Sequence, residues 1–118
     1  MRGYKTFEQD IHPGMLRHEI EIGRMEHIVS ENGYPIENDV MLFKTRAYVE
    51  EGGNQHFRGS DANNAETVLN FIIRYRDGIT EAMYVMYEGQ KWTIQLVGEI
   101  DFKKRYLGIK GSVVKGVN

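Results

Sequence analysis

Met83-Tyr84-Val85-Met86-Tyr87-Glu88-Gly89-Gln90-Lys91-Trp92-Thr93-Ile94 is the stretch that decides the fold. Two short runs rich in aromatic and branched residues flank Glu88-Gly89-Gln90, a turn signal because glycine tolerates positive φ. The stretch reads as a tight hairpin that brings Val85 and Tyr87 near Trp92 and Ile94. Trp92 is in phase with Ile94 and Leu96, which points that face to the core. Just upstream, Phe71-Ile72-Ile73-Arg74-Tyr75-Arg76-Asp77-Gly78-Ile79-Thr80 reads as a strand ending in Arg-Tyr-Arg, followed at once by an Asp-Gly turn.

The same logic extends toward the N-terminus. From His18 the chain alternates, with Ile20 and Ile22 on one face and Glu19 and Glu21 on the other. Asn32-Gly33 is a strong turn signal. A second strand is expected over Met41 to Glu50, with Met41, Phe43, Thr45, Ala47 and Val49 on one face and Lys44, Arg46 and Tyr48 on the other. These two runs are expected to pair antiparallel. Four more strands are expected over Thr67–Arg76, Ala82–Tyr87, Lys91–Val97 and Arg105–Val114, each of ordinary strand length. In the last, Leu107, Ile109, Gly111 and Val113 share a face.

The stretch from Glu50 to Glu66 differs. It holds Gly52-Gly53-Asn54, Gly59-Ser60-Asp61 and Asn63-Asn64, with Phe57 as its one large apolar residue. Without a periodic apolar face it reads as a long mobile loop, with at most a short helical turn capped by Ser60 or Asp61. The fold class is therefore mainly β: a small antiparallel β-barrel or sandwich of about six strands with one long loop. The 118 residues fit a single domain spanning 1–118, with residues 1–14 as an N-terminal arm.

Composition narrows the function. The apolar fraction of 41% and charged fraction of 27% suit a soluble globular protein. With 17 acidic and 15 basic residues, the chain lacks the basic footprint of a duplex DNA binder. Without cysteine, disulfides, thiolate metal sites and cysteine nucleophiles are excluded. No apolar run approaches the length of a membrane helix, and the first ten residues lack a signal-peptide core, so a cytosolic site of synthesis is expected.

Catalytic chemistry finds little support. His12, His18, His27 and His56 lie in separate segments without the close spacing of zinc motifs, so no metal site is expected. Glu50-Glu51 would point to opposite faces of a strand, and a solvated strand end explains the pair more simply than acid–base catalysis. Neither a Gly-x-Ser-x-Gly elbow nor a phosphate-binding loop is present. No catalytic residue, cofactor or metal is assigned.

Charge and aromatic residues offer better candidates. On a strand, Arg74 and Arg76 would share a face with Tyr75 opposite, able to meet phosphates or a neighbouring subunit's carboxylates, or simply to solubilise an outer wall. From Lys103 onward there are five basic residues, including Lys103, Lys104 and Arg105, and no acidic one. Glu50, Glu51, Asp61 and Glu66 stand against Arg58 alone. Such opposed patches suit head-to-tail contacts, which close into rings. Tyr75, Tyr84, Tyr87, Trp92 and Tyr106 could instead stack on single-stranded nucleic acid, as in oligonucleotide-binding barrels.

In order and spacing these segments resemble the head–tail joining (head-closure) proteins of long-tailed bacteriophages. The resemblance rests on Gly14-Met15-Leu16-Arg17-His18-Glu19-Ile20-Glu21-Ile22, the Asn32-Gly33 turn, and Ala47-Tyr48-Val49 ahead of a variable polar loop. It continues through Phe71–Thr80 and Met83–Ile94 to a closing strand with Leu107, covering about Gly14 to Val114.

The resemblance implies a non-enzymatic connector component of a tailed phage or prophage. It implies a small barrel that assembles as a homo-oligomeric ring, commonly a dodecamer, beneath the portal and its adaptor, and that is often monomeric alone. DNA would pass through the ring without sequence-specific binding, and the tail would dock on its far side. In some members a long loop helps close the channel. Here that role would fall to Glu50–Glu66, with Glu50, Glu51, Phe57, Arg58, Asp61 and Glu66 as its charged and aromatic residues. Arg74, Arg76, Lys103, Lys104 and Arg105 would make subunit contacts. The expected location is the virion connector, with assembly in the host cytoplasm and no membrane partner. A tail-completion or terminator protein is the nearest alternative.

Overall fold

Every segment with an alternating or continuous apolar pattern is a strand in the computed structural model, which describes residues 11–52, 66–100 and 103–114. A 3-10 turn at Pro13–Met15 leads into β1 (His18–Val29) and β2 (Pro35–Glu51). These are followed by β3 (Glu66–Arg74), β4 (Met83–Tyr87), β5 (Gln90–Glu99) and β6 (Tyr106–Val114). The strands are antiparallel and close on themselves in the order β1-β2-β3-β6-β5-β4. The expected barrel-or-sandwich class is thus a barrel.

Both expected hairpins form. In the first, Gly33 takes φ +86°, and the Ser30 hydroxyl accepts hydrogen bonds from the backbone of Asn32 at 3.3 Å and Tyr34 at 3.1 Å. In the second, Glu88 (φ +53°) and Gly89 (φ +76°) give the two-residue turn whose twist matches the strands. Val85 then faces Trp92, and the Trp92 indole N–H donates to the Tyr87 carbonyl at 3.3 Å.

The interior is filled by Ile20 and Ile22 of β1, Ala47 of β2, Phe71 and Ile73 of β3, Val85 of β4, Trp92 and Ile94 of β5, and Leu107 and Ile109 of β6. Phe71 meets Trp92 edge-on, with centroids 6.1 Å apart at 75°. Gly111 makes that pair possible. A Cβ there would stand 3.3 Å from the Phe71 ring and 3.2 Å from the Trp92 Cβ.

The continuous run Phe71-Ile72-Ile73 is buried because the wall is covered on both sides there. Ile72 points outward and joins Leu16 and Tyr106 in a second buried cluster, flanked by Ile11, Tyr48 and Ile100. The described end of the N-terminal arm is therefore packed against the outer wall.

Two bulges shift the expected phases. Between β1 and β2 the register passes from Ile22↔Phe43 to Gly23↔Met41, leaving Leu42 as the extra residue. Leu42 and Phe43 both pack on the core, and Met41, expected inside, is 51% exposed. Between β5 and β6 the register passes from Ile94↔Gly111 to Leu96↔Lys110, with Gln95 extra. Val97 turns inward and Leu96, expected in the core, is 47% exposed.

Strand limits also differ from expectation. β2 starts at Pro35 rather than Met41, because the tight Ser30–Tyr34 turn holds Ile36–Asp39 in register with Met25–Ile28 despite their polar sequence. β3 stops at Arg74, where the Tyr75 N–H turns to the Arg105 carbonyl at 2.9 Å. Glu50, Glu51 and Glu66, expected in the loop, belong to strands, and the Gly52 N–H still donates to the Val68 carbonyl at 2.8 Å. The ladder continues there because the backbone of each of these residues pairs with β3 or β6. Phe57, Arg58 and Asp61 lie outside the described residues, as do residues 1–10 of the arm.

Gly23 is a tight point of the wall, closed in by backbone as well as side chain. A Cβ there would stand 2.8 Å from the Tyr84 hydroxyl and 2.9 Å from the Val40 carbonyl oxygen. The tyrosine tip can move aside, whereas the backbone carbonyl cannot. Gly23→Ala is expected to destabilise the fold by about 1–3 kcal/mol, the usual cost of overpacking. Gly98→Ala, which meets open space, should change stability by less than about 0.5 kcal/mol. Urea midpoints of the two variants check the contrast; equal midpoints would contradict it.

Candidate assembly surfaces

The β1–β2 hairpin outruns the barrel. β4 pairs with β1 only from Glu21 to Arg24, and β3 pairs with β2 only from Tyr48 to Glu51. Among the described residues, Met25–Val29 and Pro35–Asp39 therefore have only each other as ladder partners, forming a two-stranded arm. The arm carries exposed Ile28, Val29, Tyr34 and Ile36, with Met41 exposed at its root. Its acidic residues are Glu26, Glu31, Glu37 and Asp39, and it has no lysine or arginine.

Its root is clasped to the barrel on the outer face. Tyr84 of β4 lies across β1 over Gly23, and the Lys91 ammonium of β5 donates to Asp39 Oδ1 of β2 at 3.0 Å. The same ammonium sits 4.6 Å from the centre of the Tyr84 ring. The Lys91 hydrogen bond holds the Asp39 carboxyl below the usual aspartate value, with the Tyr84 hydroxyl adding to it. Partial burial, and then Asp39, push the Tyr84 phenol up. Four strands are thereby joined at one spot. On the arm's other face Arg24 pairs with Glu26 at 2.6 Å.

The basic residues singled out in the sequence gather at the same end of the barrel. The β3–β6 ladder sets Arg74 beside Tyr106, and the Tyr75–Arg105 backbone bond joins the two following segments. Arg74, Arg76, Lys103, Lys104 and Arg105 are all exposed there. The expected shared face for Arg74 and Arg76 does not arise, because Arg76 lies past the end of β3. Arg74 keeps the outward phase of Ile72, whereas the Arg76 guanidinium stacks 3.6 Å above the Phe43 ring, at the rim of the core. The Lys104 ammonium lies 5.7 Å from the Tyr75 ring, and the Tyr75 hydroxyl donates to Asp77 at 2.7 Å. That hydrogen bond is the main cause of a raised Tyr75 pKa.

The carboxylates expected in the loop sit at the opposite end, on the strands that bracket residues 53–65. Glu50 accepts from the Tyr48 hydroxyl at 3.1 Å, and Glu66 accepts from the Gln95 amide at 3.1 Å. Gln95, the bulge residue, also reaches Ser112 Oγ at 3.0 Å. Glu51 is exposed opposite Leu69.

Neither a stacking platform nor a metal centre takes shape among the described residues. Trp92 is in the core and Tyr106 in the outer cluster, while Tyr84 covers Gly23. Tyr87 packs edge-on against Phe71 at 5.5 Å and against His18 at 5.9 Å. The aromatic set is split between the two sides of the wall. No three metal-ligating side chains converge among the described residues.

A closed six-stranded barrel with an outer N-terminal clasp and a projecting hairpin is the setting for the family comparison. The family model for phage head completion protein matches residues 11–113. The chain belongs to the phage head completion protein family.

Solved structures share the fold. A chain of the virion of a native gene transfer agent particle superposes with a TM-score of 0.68 at 13% identity, covering 86% of this chain and 97% of that one. Protein SF1141 from Shigella flexneri 2a, solved in solution, gives a TM-score of 0.61 at 19% identity, covering 86% and 95%. At these identities the likeness is one of fold. None of the curated proteins matches the sequence. The resemblance carried by the Leu-Arg-His lead-in and the Arg-Tyr-Arg strand thus holds at family level: this head completion protein is a structural component of a phage-type particle.

The arm's clasp is testable by titration. Because the Asp39 pKa is lowered on folding, the pair stabilises the protein above the ordinary aspartate range, and the contribution is lost as pH falls through the folded value. An NMR titration of the Asp39 carboxyl carbon should show a depressed midpoint in the wild type and a higher one in Lys91→Met. Identical midpoints would show that the Lys91 contact is not made in solution.

Proposed function

We propose that this head completion protein is a ring-forming subunit of the head–tail connector. It would extend the DNA channel below the portal or adaptor and present a docking face to the tail. The observation that carries the reading is the family match over residues 11–113. A barrel whose exposed Arg74, Arg76 and Lys103–Arg105 gather at one end suits that role, because copies set side by side can meet through unlike surfaces and close. In this reading Arg74, Arg76, Lys103, Lys104 and Arg105 contact neighbouring subunits. The segment between β2 and β3, with Phe57, Arg58 and Asp61, faces the channel and helps to close it once the ring has formed. Its ends are held on adjacent strands at Glu51 and Glu66.

Two experiments test the reading. Affinity capture of the tagged protein from an induced host lysate should retain portal and adaptor proteins, identified by mass spectrometry. Tail-tube proteins alone would move the role to the tail side, and nucleic acid without virion proteins would contradict a connector. Replacing residues 54–64 by a short Gly-Ser link should leave the melting temperature within a few degrees while packaged DNA is no longer retained. An unfolded product would show that the segment belongs to the core.

A further inference from the structure

Six large apolar side chains are exposed among the described residues, and their distribution is not random. Ile28, Val29, Tyr34, Ile36 and Met41 lie on the β1–β2 arm and its root, and the sixth is Leu96 on β5. A two-stranded ribbon is marginal in water by itself, and a concentration of exposed apolar residues on a projecting element marks an interaction site. The arm also has open strand edges. β2 has no second ladder partner over Pro35–Ala47 among the described residues, nor β1 over Met25–Val29.

The barrel order says what could cover it. β3 lies between β2 and β6 on one side, and β4 lies between β1 and β5 on the other. The β6 strand and the later part of β5 therefore lie across the barrel from β1 and β2, whereas Lys91 at the start of β5 reaches Asp39. The β5–β6 connection carries Lys103, Lys104 and Arg105, and the outward Leu96 stands beside Lys110 of β6. The connection lies at the end of the barrel where β1 and β5 finish and β2 and β6 begin, and Leu96 lies further down the wall, within the β5–β6 ladder. Each molecule thus carries an acidic apolar arm on one flank and, on the opposite flank, the Lys103–Arg105 run with an exposed leucine further down the wall.

We propose that the β1–β2 arm of each copy docks on the β5–β6 wall of the next copy in the ring. The occupant is a second copy of this chain. Glu31 and Glu37, which make no ion pair among the described residues, face the neighbour's Lys103–Arg105 connection. Met41, at the arm's root, covers the neighbour's Leu96. Because the two surfaces differ and lie on opposite flanks, the contact is head-to-tail and repeats by rotation, as ring closure requires. The proposal rests on the connector-ring reading and adds which surfaces meet.

The cysteine-free sequence makes a crosslinking test clean. Particles are assembled with the full chain carrying Glu37→Cys and Lys104→Cys together, or either one alone, and treated with a short bismaleimide. Both positions are exposed, and circular dichroism of each purified variant confirms the fold. The double variant should give a ladder of covalent oligomers on denaturing gels, ending at the ring's copy number. Each single variant should give monomers. Monomers from the double variant, in particles whose images retain a ring of this protein, would overturn the arm contact and leave the connector reading standing. Particles containing no ring of this protein would overturn both.

Discussion

Closure of the barrel depends on the shortest contact between elements far apart in the chain. The β1–β4 seam is a four-pair ladder, from Glu21↔Met86 to Arg24↔Met83. The β1–β2 and β4–β5 pairs are local hairpins, which form without a large loop-closure cost. The seam joins the two halves of the molecule, and without it β1 and β4 would both be open edges. Its packing is correspondingly specific. Ile22 and Val85 meet inside, Gly23 lets Tyr84 lie flat outside, and the Leu42 bulge sharpens the bend of β2 at the same level. The Lys91–Asp39 pair then ties the outermost strands of this quartet across the seam.

That constraint explains which parts of the fold were legible in the sequence. The hairpin turns were plain, because Asn32-Gly33 and Glu88-Gly89 carry the left-handed backbone that only a few residue types tolerate. Inward phases were correct wherever the ladder is regular, as at Ile20, Ile22, Trp92, Ile94, Leu107 and Ile109. They failed for Met41 and Leu96, just past the two bulges. A bulge is set by the register between strands, and one strand's sequence does not contain that register. The second apolar cluster was hidden for a related reason. Phe71-Ile72-Ile73 shows a strand buried on both sides, but not that Leu16 and Ile11 are what cover it.

The candidate surfaces were partly legible. Arg74 and the Lys103–Arg105 run, grouped from the sequence as contact residues, are made neighbours in space by the β3–β6 ladder. Their relation to Arg76 was misjudged because strand geometry ends at Arg74. The arm was not visible at all. Ile36-Glu37-Asn38-Asp39 has a polar, loop-like composition, and its strand state is imposed by pairing with β1. The absence of a core face there is itself the signal: apolar residues gathered on a ladder outside the barrel mark an interaction surface.

The central claim is that this head completion protein works as a closed ring between head and tail. A cryo-electron microscopy reconstruction of the particle's neck, with the tagged protein located in the map, tests it most directly. The account predicts a continuous ring of six-stranded barrels of this chain, coaxial with the portal, with one barrel's projecting hairpin against the next. Density for isolated copies, or for this chain somewhere other than the neck, would contradict it.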